Sequence, residues 1–138
     1  IYGKTSAWSS THNSLYEAAV DVRKSEDLNA TKIQLTTLDD YVESNGIESL
    51  DLLKIDTEGH ELAVLNGAKK TLEDGKIRFI QFEFNEMNLF SHSTMRDIRK
   101  TLDSYRFYRL SPRGLIPLPD LSLYQEIYQF QNIFCELK

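Results

Sequence analysis

The chain is poor in cysteine and has no long apolar run. Its single cysteine, Cys135, has no partner in the chain for a disulfide and cannot form a zinc site of several cysteines. A reducing compartment is therefore expected, and the absence of a charged-then-apolar leader favours a cytoplasmic protein. No apolar stretch approaches the roughly 18 residues that a membrane helix needs, so the sequence predicts no membrane span.

Positive charge is also scarce. The chain has 16 Lys and Arg against 21 Asp and Glu, which leaves a net charge of −5. Sequence-independent nucleic-acid binding needs clustered positive charge, so we expect no nucleic-acid partner. The six glycines are scattered, and none of them forms a glycine-rich phosphate loop. The first residue is Ile1 and not Met, so we expect the natural start to be missing.

What the chain does have is the composition of one globular domain, or of a piece of one. It has 138 residues, 41% of them hydrophobic, with no internal repeat. The sequence pattern predicts strands over 32–36, 50–56 and 78–84, and helices over 37–46 and 60–72. Strands and helices therefore alternate along this part of the chain. This order predicts a parallel α/β sheet. The leucine-rich strand at 50–56 should be buried on both faces.

Shorter elements follow. We expect a helix over 94–104 and strands over 106–110, 115–118 and 132–137, with Cys135 in the core. Pro117 and Pro119 suit a sheet edge or a strand end.

The first predicted helix has clear end signals. Thr37 and Asp40 have the spacing of a capping box, and Gly46 is a typical stop. Leu38, Tyr41 and Val42 form its expected apolar stripe.

Charged residues follow two strands of the predicted sheet. Asp56, Glu58, His60 and Glu61 follow the strand at 50–56, and Glu83 ends the strand at 78–84. Ligands bind outside the carboxyl ends of parallel strands. We therefore expect these groups to lie side by side at one edge and to include the functional site.

Simpler interpretations remain open for several of these groups. Glu58 and Glu61 suit helix capping, since carboxylates are favourable near a helix N-terminus. Lys54 lies two residues before Asp56, on the same strand face, and suits an ion pair with it. His60 lacks the second histidine of H-E-x-x-H, and nothing completes a cation shell around Asp56, Glu58 and His60, so we expect no metal.

The segment Thr36 to Leu72, TTLDDYVESNGIESLDLLKIDTEGHELAVLNGAKKTL, resembles the FkbM family of S-adenosylmethionine-dependent methyltransferases. The resemblance is strongest in TLDD, DLLKIDTEGHE and L-x-G-A, followed by the acidic strand end QFEF at 81–84. It extends more loosely to SAWSS near the start and to YRLSPRGLIPL and NIFCEL near the end.

The resemblance implies a Rossmann-like class I methyltransferase sheet of the α/β class. Residues 1–138 then correspond to the C-terminal portion of the domain, strands four to seven with flanking helices. The resemblance further implies that the half with the glycine-rich cofactor loop is not part of this sequence. We therefore expect this chain alone to bind S-adenosylmethionine poorly and to be inactive, whereas the intact parent is an enzyme.

The implied reaction moves a methyl group to a hydroxyl of a sugar, glycolipid or natural product, so the partner is a small-molecule or glycan acceptor. Lys54, Asp56, Glu58 and Gly59 fall on the family's K-x-D-x-E-G motif, and Glu83 on the acidic end of its fifth strand.

Each of these groups has an expected role. Asp56 and Glu58 are the expected cofactor-binding residues. Asp56 and His60 are candidate bases, because a hydroxyl acceptor gains from a base within hydrogen-bond reach. Glu58 is expected to orient the acceptor or the cofactor, and Glu83 to polarise the acceptor or organise Lys54.

Two other classes of protein remain as alternatives. One is a non-catalytic α/β binding or scaffold module. The other is a different α/β enzyme such as a hydrolase, although the serine type would need a G-x-S-x-G elbow, which this chain lacks.

Overall fold

The computed structural model describes residues 34–119 and 126–138, together with the backbone of two short strands, β1 (Tyr2–Gly3) and β2 (Leu28–Asn29). These two strands pair antiparallel. The strand predicted at 32–36 is wrong over its described part, because residues 34–36 have no regular structure. Leu35 is 71% exposed, so this segment lacks the buried apolar face that the prediction gave it. Residues 32 and 33, and the SAWSS segment, lie outside the described residues.

The main body is a five-stranded mixed sheet with short helices. Its elements are α1 (Leu38–Ser44), β3 (Leu50–Ile55), α2 (Glu61–Asn66), α3 (Lys69–Glu73), β4 (Ile77–Phe84), α4 (Met87–Phe90), α5 (Met95–Thr101), β5 (Tyr105–Ser111), β6 (Gly114–Pro117) and β7 (Gln131–Leu137). The strand order is β3-β4-β7-β5-β6. The α/β class is confirmed, but the sheet is parallel only between β3 and β4, because β7 returns antiparallel between β4 and β5.

The burial predicted for β3 is wrong. Leu52 is 52% exposed, and Ile55 is the buried residue of this strand. In the described sheet β3 lies at an edge and pairs with β4 alone. The C-terminal strands follow their predicted ranges to within one residue at each end, and Pro117 lies in β6 at the opposite edge, as expected.

The core lies between one face of the sheet and the helices. Ile80, Phe82 and Ile133 are fully buried on that face, and Leu65 and Ile98 pack against it from α2 and α5. Cys135 belongs to the same cluster, as predicted, and its burial raises the pKa of the thiol. On the other face an aromatic row runs across three strands: the ring centroids of Phe79 and Phe134 are 5.4 Å apart, and those of Phe134 and Tyr108 are 6.5 Å apart.

The end signals of α1 are confirmed. The backbone N–H of Asp40 donates to Thr37 Oγ1 at 3.0 Å, and Gly46 has a left-handed φ of +60° just after the helix. The predicted stripe is only partly right, because Val42 is buried whereas Tyr41 is 52% exposed. α1 has only seven residues and contacts the rest of the described structure chiefly through α3. It therefore buries fewer apolar side chains than its sequence predicts.

The single helix predicted over 60–72 is two helices, α2 and α3, and α1 supplies the reason. The carbonyl of Gly67 accepts the backbone N–H of Asp39 at 2.9 Å. The Asp39 carboxylate accepts the N–H of Lys70 at 3.0 Å and the N–H and Oγ1 of Thr71 at 2.8 and 2.6 Å. In a continuous helix, the amides at the start of α3 would donate to carbonyls of the preceding turn. Here they donate to Asp39 instead, so a new helix begins at this point.

Asp39 should contribute stability that depends on pH. Partial burial opposes its ionisation, but the hydrogen bonds from Thr71 and Lys70 outweigh that effect and lower its pKa. A depressed carboxyl pKa stabilises the fold above the unfolded pKa, and this contribution is lost as pH falls through the folded pKa. Asp39→Asn should lower the free energy of unfolding at pH 7 by about 1.5 kcal/mol.

The difference in free energy of unfolding between wild type and Asp39→Asn should disappear as the pH falls below about 4, the ordinary aspartate pKa. Urea unfolding at a series of pH values measures it. Asp40→Asn removes the same charge from the same exposed turn and is the matched control. A gap that stays constant from pH 7 to pH 3 would contradict the assignment.

Candidate active site

The carboxyl ends of β3 and β4 meet at one edge of the sheet, as the sequence predicts. Ile55 is the Cα partner of Phe82, so the next residues along the two strands, Asp56 and Glu83, are neighbours. We call this edge the acidic rim and define it by Asp56, Glu58 and Glu83.

Asp56 is paired with Lys54, as the simpler interpretation of Lys54 predicts. Lys54 Nζ lies 2.6 Å from Asp56 Oδ2, and the two side chains remain 52% and 44% exposed. The hydrogen bond to Asp56 raises the pKa of Lys54, and the charge of Glu83 adds to this effect. At this exposure the pair contributes little to stability, but it holds the Asp56 carboxylate in one orientation at the rim.

The turn after β3 is tight and buried. Glu58 is only 8% exposed and has a left-handed φ of +52°, which is uncommon for a residue other than glycine. Gly59 has a φ of +101°, and a Cβ at this position would lie 2.8 Å from the carbonyl oxygen of Met87 in α4. The cap residue of α2 is His60, so Glu58 does not occupy the cap position that we considered for it.

Glu61 lies beneath this turn and is 1% exposed. Its Oε1 accepts the backbone N–H of Thr57 at 3.1 Å, the Thr57 hydroxyl at 3.0 Å and the N–H of Gly59 at 3.1 Å. Its Oε2 accepts Asn88 Nδ2 at 3.0 Å. Glu61 lies in the first turn of α2, as the simpler interpretation predicts, but its carboxylate also binds two different loops, which that interpretation does not explain.

The loop after β4 is organised by two asparagines, Asn85 and Asn88, to which the sequence interpretation gave no role. Asn88 Oδ1 accepts the N–H of Asn85 at 2.9 Å, and Asn85 Oδ1 accepts the N–H of Met87 at 2.8 Å. Asn85 and Asn88 are 5% and 0% exposed. Two asparagines three residues apart, directly after an acidic strand end, were the available signal, since such side chains hydrogen-bond nearby backbone in turns.

Glu83 lies in a region of negative potential. Burial raises its pKa, and the charges of Asp56, Glu58 and Glu61 raise it further, whereas Lys54 opposes them. The register of β3 and β4 places Asp56 beside Glu83, and Glu58 lies in the turn that follows Asp56. His60 lies half-buried at the start of α2, next to the same turn.

The arrangement is suited to binding a cationic group and to accepting a proton. Clustered carboxylates stabilise positive charge, and a raised carboxyl pKa is common at functional sites. Within residues 34–119 and 126–138, no group of three His, Cys, Asp or Glu side chains is arranged to hold a metal ion. None of the helices in the same ranges is long and apolar enough to cross a membrane.

Comparison with known proteins identifies the class. The sequence model described as the methyltransferase FkbM domain matches residues 1–109, which include β3, β4 and the acidic rim. The chain is therefore of the methyltransferase class. More narrowly, it belongs to the FkbM methyltransferase family, as its motifs predict.

One curated relative is the 2-O-methyltransferase NoeI of Sinorhizobium fredii (strain NBRC 101917 / NGR234). The two proteins are 34% identical over 84 residues, which are 60% of this chain and 34% of NoeI. The chain thus aligns with about a third of that relative's length. No solved structure matches the chain.

Gly59→Ala should destabilise the fold both by backbone strain and by a clash between the new Cβ and Met87. Gly114 also has a positive φ, +117°, but a Cβ there meets nothing within 4 Å, so Gly114→Ala is the matched control. The control should lose about 1–3 kcal/mol from strain, and Gly59→Ala a further 1–3 kcal/mol or so from the clash with Met87. Urea unfolding compares the two, and equal losses would contradict the close packing of the turn on α4.

Glu83→Gln should stabilise the fold at neutral pH. A carboxyl whose folded pKa is raised favours the fold while it is protonated, and this contribution is lost as pH rises. The increase in stability caused by Glu83→Gln should therefore appear as the pH rises through about 4.5, and it should persist at pH 7. Thermal unfolding between pH 4 and pH 8 measures it, with the exposed Glu48→Gln as control. A loss of stability at pH 7 would contradict the electrostatic assignment.

Proposed function

We propose that this chain is the C-terminal portion of an S-adenosylmethionine-dependent O-methyltransferase that modifies a hydroxyl of a sugar, glycolipid or natural product. The observation that carries the proposal is the acidic rim, where the family's D-x-E-G turn lies beside the acidic end of the next strand. The relative named as a 2-O-methyltransferase supports oxygen as the acceptor atom.

The sheet supports the assignment to part of a larger domain. We infer that β3, β4, β5 and β7 correspond, in chain order, to strands four to seven of a class I methyltransferase sheet, with β6 as an added hairpin strand. β3 has a partner on one side only in the described sheet, and its Leu52 is exposed. Such an edge accepts a further strand.

The acidic rim fits the cationic end of S-adenosylmethionine, which has a sulfonium and an ammonium group. Asp56 is accessible, and the charges of Asp56 and Glu58 add to the effect of burial in raising the pKa of Glu83. We assign Asp56 and Glu58 to this end of the cofactor. When bound, the cofactor supplies an electrophilic methyl group; its adenosine end is not assigned to any described residue.

The residues of this chain then orient the acceptor and take its proton. The methyl group would come from the bound cofactor in an in-line displacement, and the hydroxyl proton would pass to a base of this chain. Asp56, oriented by Lys54, and His60 are the candidate bases, and Glu83 polarises the hydroxyl. Most of the acceleration in such an in-line displacement comes from holding the reacting atoms close and aligned.

Calorimetric titration with S-adenosylhomocysteine tests the cofactor assignment. This chain and the protein at its full natural length are titrated side by side. We expect the full-length protein to bind and this chain to bind weakly or not at all. Binding by neither would contradict the proposed S-adenosylmethionine-dependent activity and favour a non-catalytic module.

Asp56→Asn in the full-length protein should lower kcat by about 10²–10⁴-fold if Asp56 is the base. Transfer of radiolabelled methyl groups to a panel of sugars and glycolipids measures it. Asp51→Asn removes an exposed charge from the same strand, away from the rim, and is the control. Unchanged turnover in Asp56→Asn would exclude Asp56 as the base and leave His60.

A further inference from the structure

We propose that Glu61 and Asn88 are positioning residues that set the geometry of the acidic rim through the hydrogen bond between them. This inference rests on the proposed function, because it concerns the same site. Glu61 belongs to the loop and helix after β3, and Asn88 to the short helix after β4, so their 3.0 Å bond joins the two segments that carry the acidic groups.

On the β3 side, Glu61 determines the shape of the turn around Glu58. Its Oε1 binds the amides of Thr57 and Gly59, the residues directly before and after Glu58. A left-handed φ at a residue other than glycine costs free energy and persists only where its surroundings determine it. The two bonds to Glu61 supply that constraint, so Glu61 orients the Glu58 side chain.

On the β4 side, Asn88 holds the chain just after Glu83. Its Oδ1 accepts the N–H of Asn85, two residues beyond Glu83, while its Nδ2 donates to Glu61. Asn88 therefore uses both ends of its amide at once, one for each loop. A side chain at 0% exposure that uses both ends has a single acceptable orientation.

The polarity of the contact makes it specific. Glu61 Oε2 can only accept and Asn88 Nδ2 can only donate, and both side chains are fully buried. A buried polar group that loses its partner is costly in a low-dielectric interior. Movement of one loop relative to the other would break this bond, so the bond restricts the distance between Glu58 and Glu83.

The test is a reversal of the hydrogen bond. Asn88→Asp places a carboxylate against Glu61, and Glu61→Gln places an amide against Asn88, so each single change removes the bond with almost no change in volume. The double variant Glu61→Gln with Asn88→Asp restores it in the opposite direction, because the glutamine amide then donates to the aspartate. The Oε1 contacts and the bond to Asn85 N–H are retained.

In the full-length protein, each single variant should lower kcat by about 10²-fold, as misplacement by about 1 Å can do. The double variant should recover most of the loss. Tyr105→Phe is the control, since it removes the buried bond from Tyr105 Oη to the carbonyl of Ile77 at the opposite end of β4. This control should lower the unfolding midpoint without lowering kcat, which separates positioning from general stability.

A second readout does not need activity. Amide hydrogen exchange at Thr57 and Gly59 should become faster in Asn88→Asp and return to the wild-type rate in the double variant. Single variants that are folded and keep the wild-type kcat, or a folded double variant that recovers neither kcat nor slow exchange, would overturn the inference. A wild-type protein that transfers no methyl group would instead overturn the proposed function, and the exchange rates would still show whether the two loops are coupled.

Discussion

The buried carboxylate of Glu61 is the interaction on which the two loops at the acidic rim depend. An ionised group at 1% exposure is tolerated only when its oxygens are satisfied, and here four donors from three residues bind it. Three of these donors come from the turn after β3 and one from the helix after β4. The same group therefore shapes the turn around Glu58 and ties it to the strand that carries Glu83.

The acidic rim is the less favourable part of the structure, and this suits a functional site. Asp56, Glu58 and Glu83 repel one another, and Lys54 offsets only part of that repulsion. Such repulsion is useful where a cationic ligand binds, because the ligand supplies the missing positive charge. A stable arrangement beneath an unfavourable surface is common at binding and catalytic sites, where function is retained at a cost in stability.

Much of the geometry of the candidate site, and less of the fold, could be predicted from the sequence. The D-x-E-G-H-E turn, the Lys54–Asp56 pair and the proximity to Glu83 follow from strand periodicity and from the way parallel strands align. The exposure of Leu52 and Tyr41 could not be predicted, because burial depends on which element lies opposite a side chain. The break between α2 and α3 was missed because its cause, Asp39, is 31 and 32 residues away from the amides that it binds.

The sequence by itself determined the local features: the cap at Thr37, the stop at Gly46, the C-terminal strands to within one residue, and the family motif from Lys54 to Gly59. These depend on neighbours within a few residues. Only the tertiary structure decided that the buried Glu61 side chain hydrogen-bonds to two loops and that one of its partners is Asn88, 27 residues further along the chain. Hydrogen bonds between distant residues exist only after packing has brought the groups together and removed the water that would otherwise compete for them.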